Sequence, residues 1–511
     1  MTAKAYSAGV FGIDGYLVTV EADSSNNLPG IEIVGLPDAA VKESKERVKA
    51  AIKNSELKVP QKRIVINLAP ANIKKECVYL DLPISIAILC ASGQIAPFAA
   101  DGYLIIGELA LDGSLRRASG VLPMALAARE NGITKMIVPS ENAREAAVVS
   151  GMTVYGAQSL SEVTAHLRGG LQMEPTEADI SSMFRVGRNG LDDFAQVKGQ
   201  EAAKRALEVA AAGGHNCLMI GSPGSGKTML AKRIPSILPD LSFDEALEVT
   251  KIYSIAGKLS ENDSLVTVRP FRSPHHTVSA VGMTGGGTIP KPGEMSLAHR
   301  GVLFLDEFPE FRKDAIESMR QPLEDGYFTV TRASGSATFP SSVMLVASMN
   351  PCKCGYYGDP LRECTCTPVQ IQNYLSKISG PMLDRIDIQI EVPAVKFDEI
   401  SSDKKGESSA QIRERVERAR EIQLERYKGM NIYSNSQLTA AGIEEFCRID
   451  DDGKALLRNV FESLGLSARA HSRILKVART VADLGGSRDI GVMHIAEAIQ
   501  YRSLDKKYWR G

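Results

Sequence analysis

The apolar residues in the middle of the chain occur in short, unbroken runs, each ending in glycine or polar residues. The clearest runs are Cys217–Ile220, Val302–Leu305 and residues 343–349. Runs of this length are typical of strands that are buried on both faces of a parallel sheet. Between them, apolar residues such as Ala203, Leu207 and Ala210 recur at helical spacing. The pattern predicts an α/β core over residues 191–395.

The two flanking regions follow different patterns. Short β-like runs alternate with helical ones up to residue 168, which indicates an α+β domain over 1–168. A polar stretch at 169–190 has no hydrophobic periodicity and is predicted to be a linker. Residues 396–511 are predicted to form a helical lid, in which the arginines and glutamates of 411–427 indicate a solvated helix with i,i+4 pairs. The predicted N-terminal strands are 17–22, 30–35, 64–68 and 104–109, and the predicted helices are 39–54, 82–92 and 121–131.

A glycine-rich turn follows the first apolar run and precedes a helical segment. This context makes a G-x-x-x-x-G-K-[ST] motif a phosphate cradle, in which glycines let backbone amides approach phosphate oxygens. The lysine adds a positive charge, and the threonine offers a hydroxyl to Mg²⁺. We therefore predict an ATP site formed by Gly221, Ser222, Pro223, Gly224, Ser225, Gly226, Lys227 and Thr228.

Two carboxylates, Asp306 and Glu307, directly follow the second apolar run. Ligands of open α/β sheets bind at the carboxyl ends of the strands, so both side chains are expected at the nucleotide. We predict that Asp306 holds Mg²⁺ through water and that Glu307 polarises the attacking water as general base. Asn350 ends the third run, where the alternative is a strand-terminating turn residue.

Four of the eight cysteines are concentrated at Cys352, Cys354, Cys364 and Cys366. Two close pairs of thiolates on a turn-rich loop can complete a tetrahedral Zn²⁺ site, and a loop so poor in apolar residues needs such a clip. A redox-active dithiol and free thiols are the alternatives. The other cysteines are scattered in apolar surroundings and are expected to be core thiols of a reducing compartment.

Composition limits the class of protein rather than its activity. The 511 residues carry a formal net charge of −1, and 44% are hydrophobic. This balance indicates a globular chain and argues against non-specific coating of nucleic acid. No run of about 18 apolar residues and no signal-peptide pattern occurs, so we expect a cytoplasmic protein that does not associate with a membrane.

Several longer motifs carry a family resemblance over essentially the whole chain. The chain resembles the ComM/YifB family of Mg-chelatase-like AAA+ ATPases, and its 282–351 block is also similar to replicative MCM helicases. The resemblance implies a Lon-protease-like (ribosomal S5 domain 2-like) first domain, a P-loop AAA+ parallel-sheet core and a Mg-chelatase-type helical lid. The motifs that carry it are residues 269–276, 293–299, 306–308 and 379–387, with 81–84, 107–113 and 120–123 for the Lon-like domain.

The resemblance also assigns roles to individual residues. It makes Asn350 the sensor that orients the lytic water, and it places residues 197–200 beside the adenine ring. Arg385 is expected to act as an arginine finger on the nucleotide of a neighbouring subunit, and the alternative is a surface salt bridge with Asp384 or Asp387. Arg469 is expected to be the second sensor at the γ-phosphate, with Arg473 as the other candidate.

The implied activity is that of a homo-oligomeric ring, a hexamer, which hydrolyses ATP and moves along single-stranded or branched DNA. The specific expectation is branch migration in recombination during natural transformation. The alternative is the motor subunit of a magnesium chelatase. A third possibility, an ATP-dependent protease, is disfavoured because Tyr79 and Leu122 occupy the positions of the Ser–Lys dyad, so the Lon-like domain is expected to be a scaffold.

Two segments are candidates for contact with a threaded polymer. Residues 285–292 are rich in glycine and proline, and residues 327–339 are predicted to form a β-hairpin with its turn near 333–336. Each carries one basic residue, Lys291 or Arg332, which a sixfold ring would multiply into two tiers of charge. The alternative is two solvated loops. His275 and His276 are assigned structural roles.

Overall fold

The computed structural model describes residues 2–75, 78–186, 190–260, 263–287, 290–332, 335–395, 406–464 and 467–509. Within these residues it contains three folded regions: a mixed sheet with helices, a parallel sheet with helices, and a helical region. This arrangement confirms the α/β fold class.

The N-terminal region contains a seven-stranded mixed sheet. Three of its helices were predicted to within one residue at each end, and they are Ala39–Asn54, Asp81–Ala91 and Val121–Glu130. Two further helices, Ser140–Ala147 and Leu160–Leu167, were not predicted. From edge to edge, the strands are Gly30–Val34, Arg63–Ala69, Asp14–Ser25, Thr2–Phe11, Tyr103–Ile105, Lys135–Pro139 and Thr153–Ala157.

The sequence pattern did not reveal the strand Thr2–Phe11, which pairs antiparallel with Asp14–Ser25 along its whole length. Its buried positions include Ala3, Ala5 and Ala8, which have little β propensity of their own. The predicted run at 104–109 is divided into Tyr103–Ile105 and Glu108–Leu109, and the latter pairs with Leu115–Arg116 instead of extending the main sheet.

A five-stranded, fully parallel sheet forms the central region. Three of its strands end at predicted site residues and are called the cradle strand (Cys217–Ile220), the carboxylate strand (Val302–Leu305) and the sensor strand (Met344–Met349). All residues of these three strands are buried, as the apolar runs predicted. The order across the sheet is Phe271–Arg272, carboxylate strand, sensor strand, cradle strand and Ile388–Glu391.

Helices cover this sheet and two hairpins leave it. The helix Glu201–Gly213 ends where Gly214 adopts a left-handed φ of 68°. The hairpins pair Gly285–Gly286 with Lys291–Pro292, and Tyr327–Arg332 with Gly335–Pro340. The helices are Glu201–Gly213, Lys227–Arg233, Phe243–Ile255, Ala280–Thr284, Glu294–Leu297, Lys313–Ser318, Arg320–Asp325, Pro368–Leu375 and Gly380–Leu383.

The lid consists of helices packed on the same core. In Ser409–Arg426, Ile412 and Val416 are buried against the central region, so this helix is solvated on one side only. Arg413 makes the expected i,i+4 pair with Glu417, but Arg426 pairs with Asp483 of another helix. The other lid helices are Ala440–Phe446, Asp451–Leu464, Ala468–Leu484 and Val492–Gln500.

In the part of the chain that the structure describes, the N-terminal region contacts the central region at two places. The Gly120 amide donates to the Ser254 carbonyl at 3.1 Å, close to an apolar cluster that both regions share. Separately, Phe11 at the tip of the first N-terminal hairpin packs on the hairpin Tyr327–Arg332/Gly335–Pro340. The stretch predicted as a linker contains a helix, Ile180–Val186, which packs on the shared cluster.

Candidate active site

The phosphate cradle lies at the carboxyl end of the cradle strand and leads directly into the helix Lys227–Arg233. Gly221 is essential to its shape, because a Cβ there would lie 2.2 Å from the Val392 carbonyl oxygen. Gly224 and Gly226 have φ angles of 80° and 92°, a left-handed region that favours glycine. The sequence therefore forms the tight turn that the motif requires.

The Lys227 ammonium group is buried inside this turn. Its Nζ donates to the carbonyl oxygens of Gly221 at 2.7 Å and Ser222 at 3.0 Å, and it lies 3.3 Å from Oδ1 of Asn350. Burial lowers the pKa of Lys227 to about 8, although nearby Asp306 opposes the shift. A cation with so little solvation would gain strongly from a bound phosphate.

A second group of oxygens surrounds Asp306 at the end of the carboxylate strand. Thr228 Oγ1 donates to Asp306 Oδ2 at 2.7 Å, and the Ser348 hydroxyl donates to Asp306 Oδ1. Hydroxyl and carboxylate oxygens are the ligands that Mg²⁺ prefers. Ser348 was not predicted, although it carries the lone hydroxyl of the otherwise apolar sensor strand.

Glu307 projects from a strained position beside this group. It is a non-glycine residue with a φ of 53°, and its side chain is 61% exposed. His276 Nδ1 lies 3.7 Å from Oε2 of Glu307, and the rings of His275 and His276 have centroids 4.1 Å apart. The sequence analysis gave His276 a structural role only. His276 lies at the site because the strand Phe271–Arg272, which shortly precedes it, adjoins the carboxylate strand.

The segment expected beside the adenine ring also contacts the cradle. Gln200 has a left-handed φ of 60°, and its Nε2 donates to the carbonyl oxygens of Ser225 at 3.3 Å and Pro393 at 2.6 Å. The structure thus brings together Gln200, the cradle, Asp306, Glu307 and Asn350 at one edge of the sheet. This constellation can bind a nucleoside triphosphate with its metal and present a carboxylate to a water molecule.

The three candidate arginines lie at the opposite edge. Asn216, which directly precedes the cradle strand, donates to the Arg385 carbonyl at 2.8 Å. Arg469 Nη1 lies 3.3 Å from Asp384 Oδ2, and Arg473 Nη1 lies 3.2 Å from the Ile386 carbonyl oxygen. All three arginines line one cleft of about 1020 Å³. A four-residue strand spans roughly 13 Å, so Arg385 and Arg469 are remote from the cradle of their own chain.

Arg385 is held within its own chain, but by a different partner from the two considered above. Its Nη2 pairs with Glu324 at 2.5 Å, and its Nε donates to the Arg320 carbonyl at 2.8 Å. Neither Asp384 nor Asp387 is its ion-pair partner. Arg473 lies 3.5 Å from Asp387, and His215 lies 3.3 Å from the same carboxylate.

The four clustered cysteines converge as the sequence predicted. Their sulfur atoms all lie within 4.8 Å of one another, and Cys354 is 3.3 Å from Cys352 and 3.5 Å from Cys364. Four thiolates around one Zn²⁺ at 2.3 Å would lie about 3.8 Å apart, so the arrangement fits a tetrahedral ion. Burial opposes ionisation of Cys354, but hydrogen bonds from the Tyr356 amide and the Cys352 thiol lower its pKa to about 5.

The two candidate polymer-binding segments adjoin one another. Arg332 Nε donates to the Gly287 carbonyl at 3.3 Å, which joins the larger hairpin to the smaller one. Lys291 and Arg332 are both exposed. Part of the predicted turn, residues 333–334, lies outside the described residues, as do residues 288–289 of the smaller hairpin. Near the first contact between regions, Leu122 is buried in an apolar cluster, and Tyr79 packs against the same cluster.

Comparison with known proteins gives matches along most of the chain. The family model "Magnesium chelatase, subunit ChlI" matches residues 193–400, that of its C-terminal part matches 406–502, and "Subunit ChlI of Mg-chelatase" matches 20–142. The competence protein ComM of Haemophilus influenzae is 44% identical over 506 residues, which are 98% of this chain and 97% of the relative.

Two further relatives extend this result. YifB of Escherichia coli is also 44% identical over 506 residues, again 98% of this chain and 97% of the relative. The archaeal Lon protease of Halobacterium salinarum is 38% identical over 100 residues, which are 19% of this chain and 13% of the protease. Among the described residues, no helix is both long and apolar enough to cross a bilayer.

Proposed function

Because this chain belongs to the ComM/YifB family of Mg-chelatase-like AAA+ ATPases, we propose that it is an ATP-driven ring motor that acts on DNA. The observation that carries the proposal is the convergence of Lys227, Thr228, Asp306, Glu307 and Asn350 at one sheet edge. A pure binding module would not need a carboxylate beside the metal ligands. We place the activity in the cytoplasm, where cysteines stay reduced.

In this proposal each residue of the site has one task in hydrolysis. Backbone amides of the cradle and the Lys227 ammonium bind the β- and γ-phosphates. Thr228 and, through water, Asp306 hold Mg²⁺, which neutralises charge on the phosphates when it is bound. Glu307 takes the proton of the attacking water, and Asn350 orients that water. Ser348 fixes the Asp306 carboxylate from the neighbouring strand.

The position of the arginines supports a ring. Arg385 and Arg469 lie at the sheet edge opposite to the cradle of their own chain, whereas a neighbouring subunit could place its cradle against the cleft that both line. Charge developing on the transferring phosphoryl would then be stabilised from the next subunit, an effect worth roughly 10³–10⁵ in rate. We propose a hexamer in which Arg385 is the finger, with Arg469 as the second sensor and Arg473 as the other candidate.

Two observations support DNA as the substrate. The name of the Haemophilus influenzae relative is that of a competence protein. In addition, Arg332 and Lys291 are exposed on hairpins that contact each other, so six subunits would present adjacent tiers of positive charge to a phosphate backbone. The specific reaction proposed is branch migration in recombination.

The decisive experiment measures ATP hydrolysis with possible substrates added singly. Single-stranded DNA and a four-way DNA junction should stimulate hydrolysis, and the junction should be resolved into duplex products in the presence of Mg²⁺ and ATP. The family models favour one competing function, the motor of a magnesium chelatase. Stimulation by a porphyrin with its partner subunits, and none by DNA, would establish that function instead.

We further propose that Cys352, Cys354, Cys364 and Cys366 hold one structural Zn²⁺. The supporting observation is the convergence of all four sulfur atoms on a loop with few apolar residues. Elemental analysis of freshly reduced protein should find about one Zn²⁺ per chain. Protein free of metal, with a disulfide that forms reversibly, would favour the redox dithiol.

A further inference from the structure

The cysteine-bearing loop, residues 352–366, lies against the phosphate cradle. It begins two residues after Asn350, so the sensor strand leads straight into it. Gly355 has a left-handed φ of 89°, and a Cβ added there would lie 2.6 Å from Cδ of Pro223. The loop backbone therefore packs directly on the middle of the cradle.

Asp359 makes a second contact between the loop and the cradle. Its Oδ1 accepts hydrogen bonds from the amides of Leu361 at 2.8 Å and Arg362 at 3.1 Å, which fixes the carboxylate on its own turn. The Leu361 amide and, in addition, the nearby Ser222 side chain lower the pKa of this carboxyl below its usual range. Asp359 thus links a turn between the two cysteine pairs to a residue whose carbonyl also accepts from Lys227.

On its outer side, the loop contacts the C-terminal segment. The rings of Tyr357 and Tyr508 have centroids 6.3 Å apart. Lys507 pairs with Glu391 at 2.7 Å, at the end of the strand next to the cradle strand. The loop therefore contacts the cradle on one side and the C-terminal segment on the other, so a change in its shape can act on either of them.

We propose that the cysteine-bearing loop is a positioning element of the nucleotide site, through which the metal and the nucleotide bind cooperatively. This inference rests on the zinc site proposed above. The four thiolates close the loop around the metal. The closed loop places Gly355 against Pro223 and Asp359 near Ser222. These contacts hold the cradle in the shape that binds phosphate.

Cooperative binding must be reciprocal. If the bound metal raises the affinity for ATP by some factor, bound ATP raises the affinity for the metal by the same factor. Couplings between sites in proteins typically amount to about 5–150-fold. The metal should consequently dissociate from the nucleotide-bound protein several-fold more slowly than from the free protein. At a given chelator concentration, a smaller fraction of the metal should be released.

The test uses the full chain carrying Glu307→Gln, which should bind ATP without hydrolysing it. Release of Zn²⁺ to a coloured chelator is followed with and without Mg-ATP, and ATP affinity is measured separately with a fluorescent analogue. We expect ATP to shift the chelator concentration needed for half-release about fivefold or more. A second substitution, Lys227→Ala, should abolish the shift without removing the zinc.

Variants of the loop separate positioning from folding. Asp359→Ala should retain zinc and weaken ATP binding about three- to tenfold, because the contact of the loop with Ser222 is lost and such a contact has about the effect of a single hydrogen bond. Asp359→Asn keeps an oxygen for the Leu361 and Arg362 amides and removes the negative charge beside Ser222, so it tests the role of that charge if the alanine variant misfolds. Glu363→Ala is the matched control, because Glu363 is an exposed acidic residue of the same loop.

The outcomes distinguish this inference from the zinc proposal. A protein with no metal would overturn both. Zinc present, with release unaffected by ATP and with equal ATP affinities for the Asp359 and Glu363 variants, would overturn the coupling and leave the zinc site standing.

Discussion

The Thr228 hydroxyl donates a 2.7 Å hydrogen bond to Oδ2 of Asp306, across 78 residues of sequence. The two groups meet because the cradle strand and the carboxylate strand end at the same edge of the sheet. The sensor strand lies between them and contributes Ser348 to the same carboxylate. Three parallel strands therefore fix the polar atoms to which a magnesium ion would bind.

The first prediction separates binding from hydrolysis. Lys227→Ala should abolish detectable nucleotide binding, because it removes the only side-chain cation that the described residues place within the cradle. Glu307→Gln should bind ATP normally and hydrolyse it roughly 10²–10⁴-fold more slowly, since the general base is lost. Binding is measured with a fluorescent nucleotide and hydrolysis by phosphate release. Normal hydrolysis by Glu307→Gln would refute the assignment of the base.

Arg385 provides a prediction about assembly. Arg385→Ala should bind ATP nearly normally and lose about 10³-fold or more of its hydrolysis, because the finger acts on the neighbouring subunit. Mixed with Lys227→Ala, it should regain activity at interfaces that pair an intact cradle with an intact finger. The control is Arg312→Ala, which removes an exposed arginine paired with Asp314. Full activity of Arg385→Ala, despite proven assembly, would make Arg385 a structural residue.

The hairpins provide a prediction about DNA. Arg332→Ala and Lys291→Ala should each leave basal hydrolysis intact and reduce its stimulation by single-stranded DNA. Each should also make DNA affinity less sensitive to salt, because fewer counterions are released. Lys428→Ala, at an exposed site on the lid, is the charge-matched control. Identical salt dependence in all three variants would remove the hairpins from the DNA path.

Acid stability tests the contribution of Glu248, which lies in the helix Phe243–Ile255 that packs on the N-terminal region. Ser342 donates to His299 Nδ1, so neutral His299 can donate from Nε2 to Glu248, and Arg300 donates to the same carboxylate. These hydrogen bonds lower the pKa of Glu248 from 4.5 to about 2. Because the folded pKa lies below the unfolded one, the stabilisation is full above about pH 4.5 and is lost as the pH falls towards 2.

The variant Glu248→Gln should therefore melt about 2–4 °C below the unmodified protein at pH 7. The difference should shrink progressively below pH 4.5. Thermal unfolding followed by circular dichroism at pH 7, 4.5 and 3 measures it, with the exposed Glu425→Gln as control. A difference that is constant across this range would mean that Glu248 acts through packing rather than charge.

Local sequence specified the parts of the site that depend on neighbouring residues. The cradle, the strand ends at Asp306 and Asn350 and the cysteine cluster were all predicted, because each is encoded within a few residues. Ser348, His276 and Asp359 were not, because their contacts depend on the order of strands and on loop packing. The same limit explains why Glu324 was not foreseen as the partner of Arg385.

The contact between Phe11 and the larger hairpin has a practical consequence. Phe328 and Phe339 stack with centroids 5.4 Å apart, and Phe11 and Ile13 of the N-terminal region pack on them. Gly335 leaves the space that the Phe11 ring fills, since a Cβ there would lie 2.8 Å from it. A shortened protein beginning at residue 191 would expose this aromatic surface to water and would tend to self-associate. Low activity in such a fragment would reflect a damaged hairpin, so the role of the first domain is better studied by substituting Phe11 and Ile13 in the intact chain.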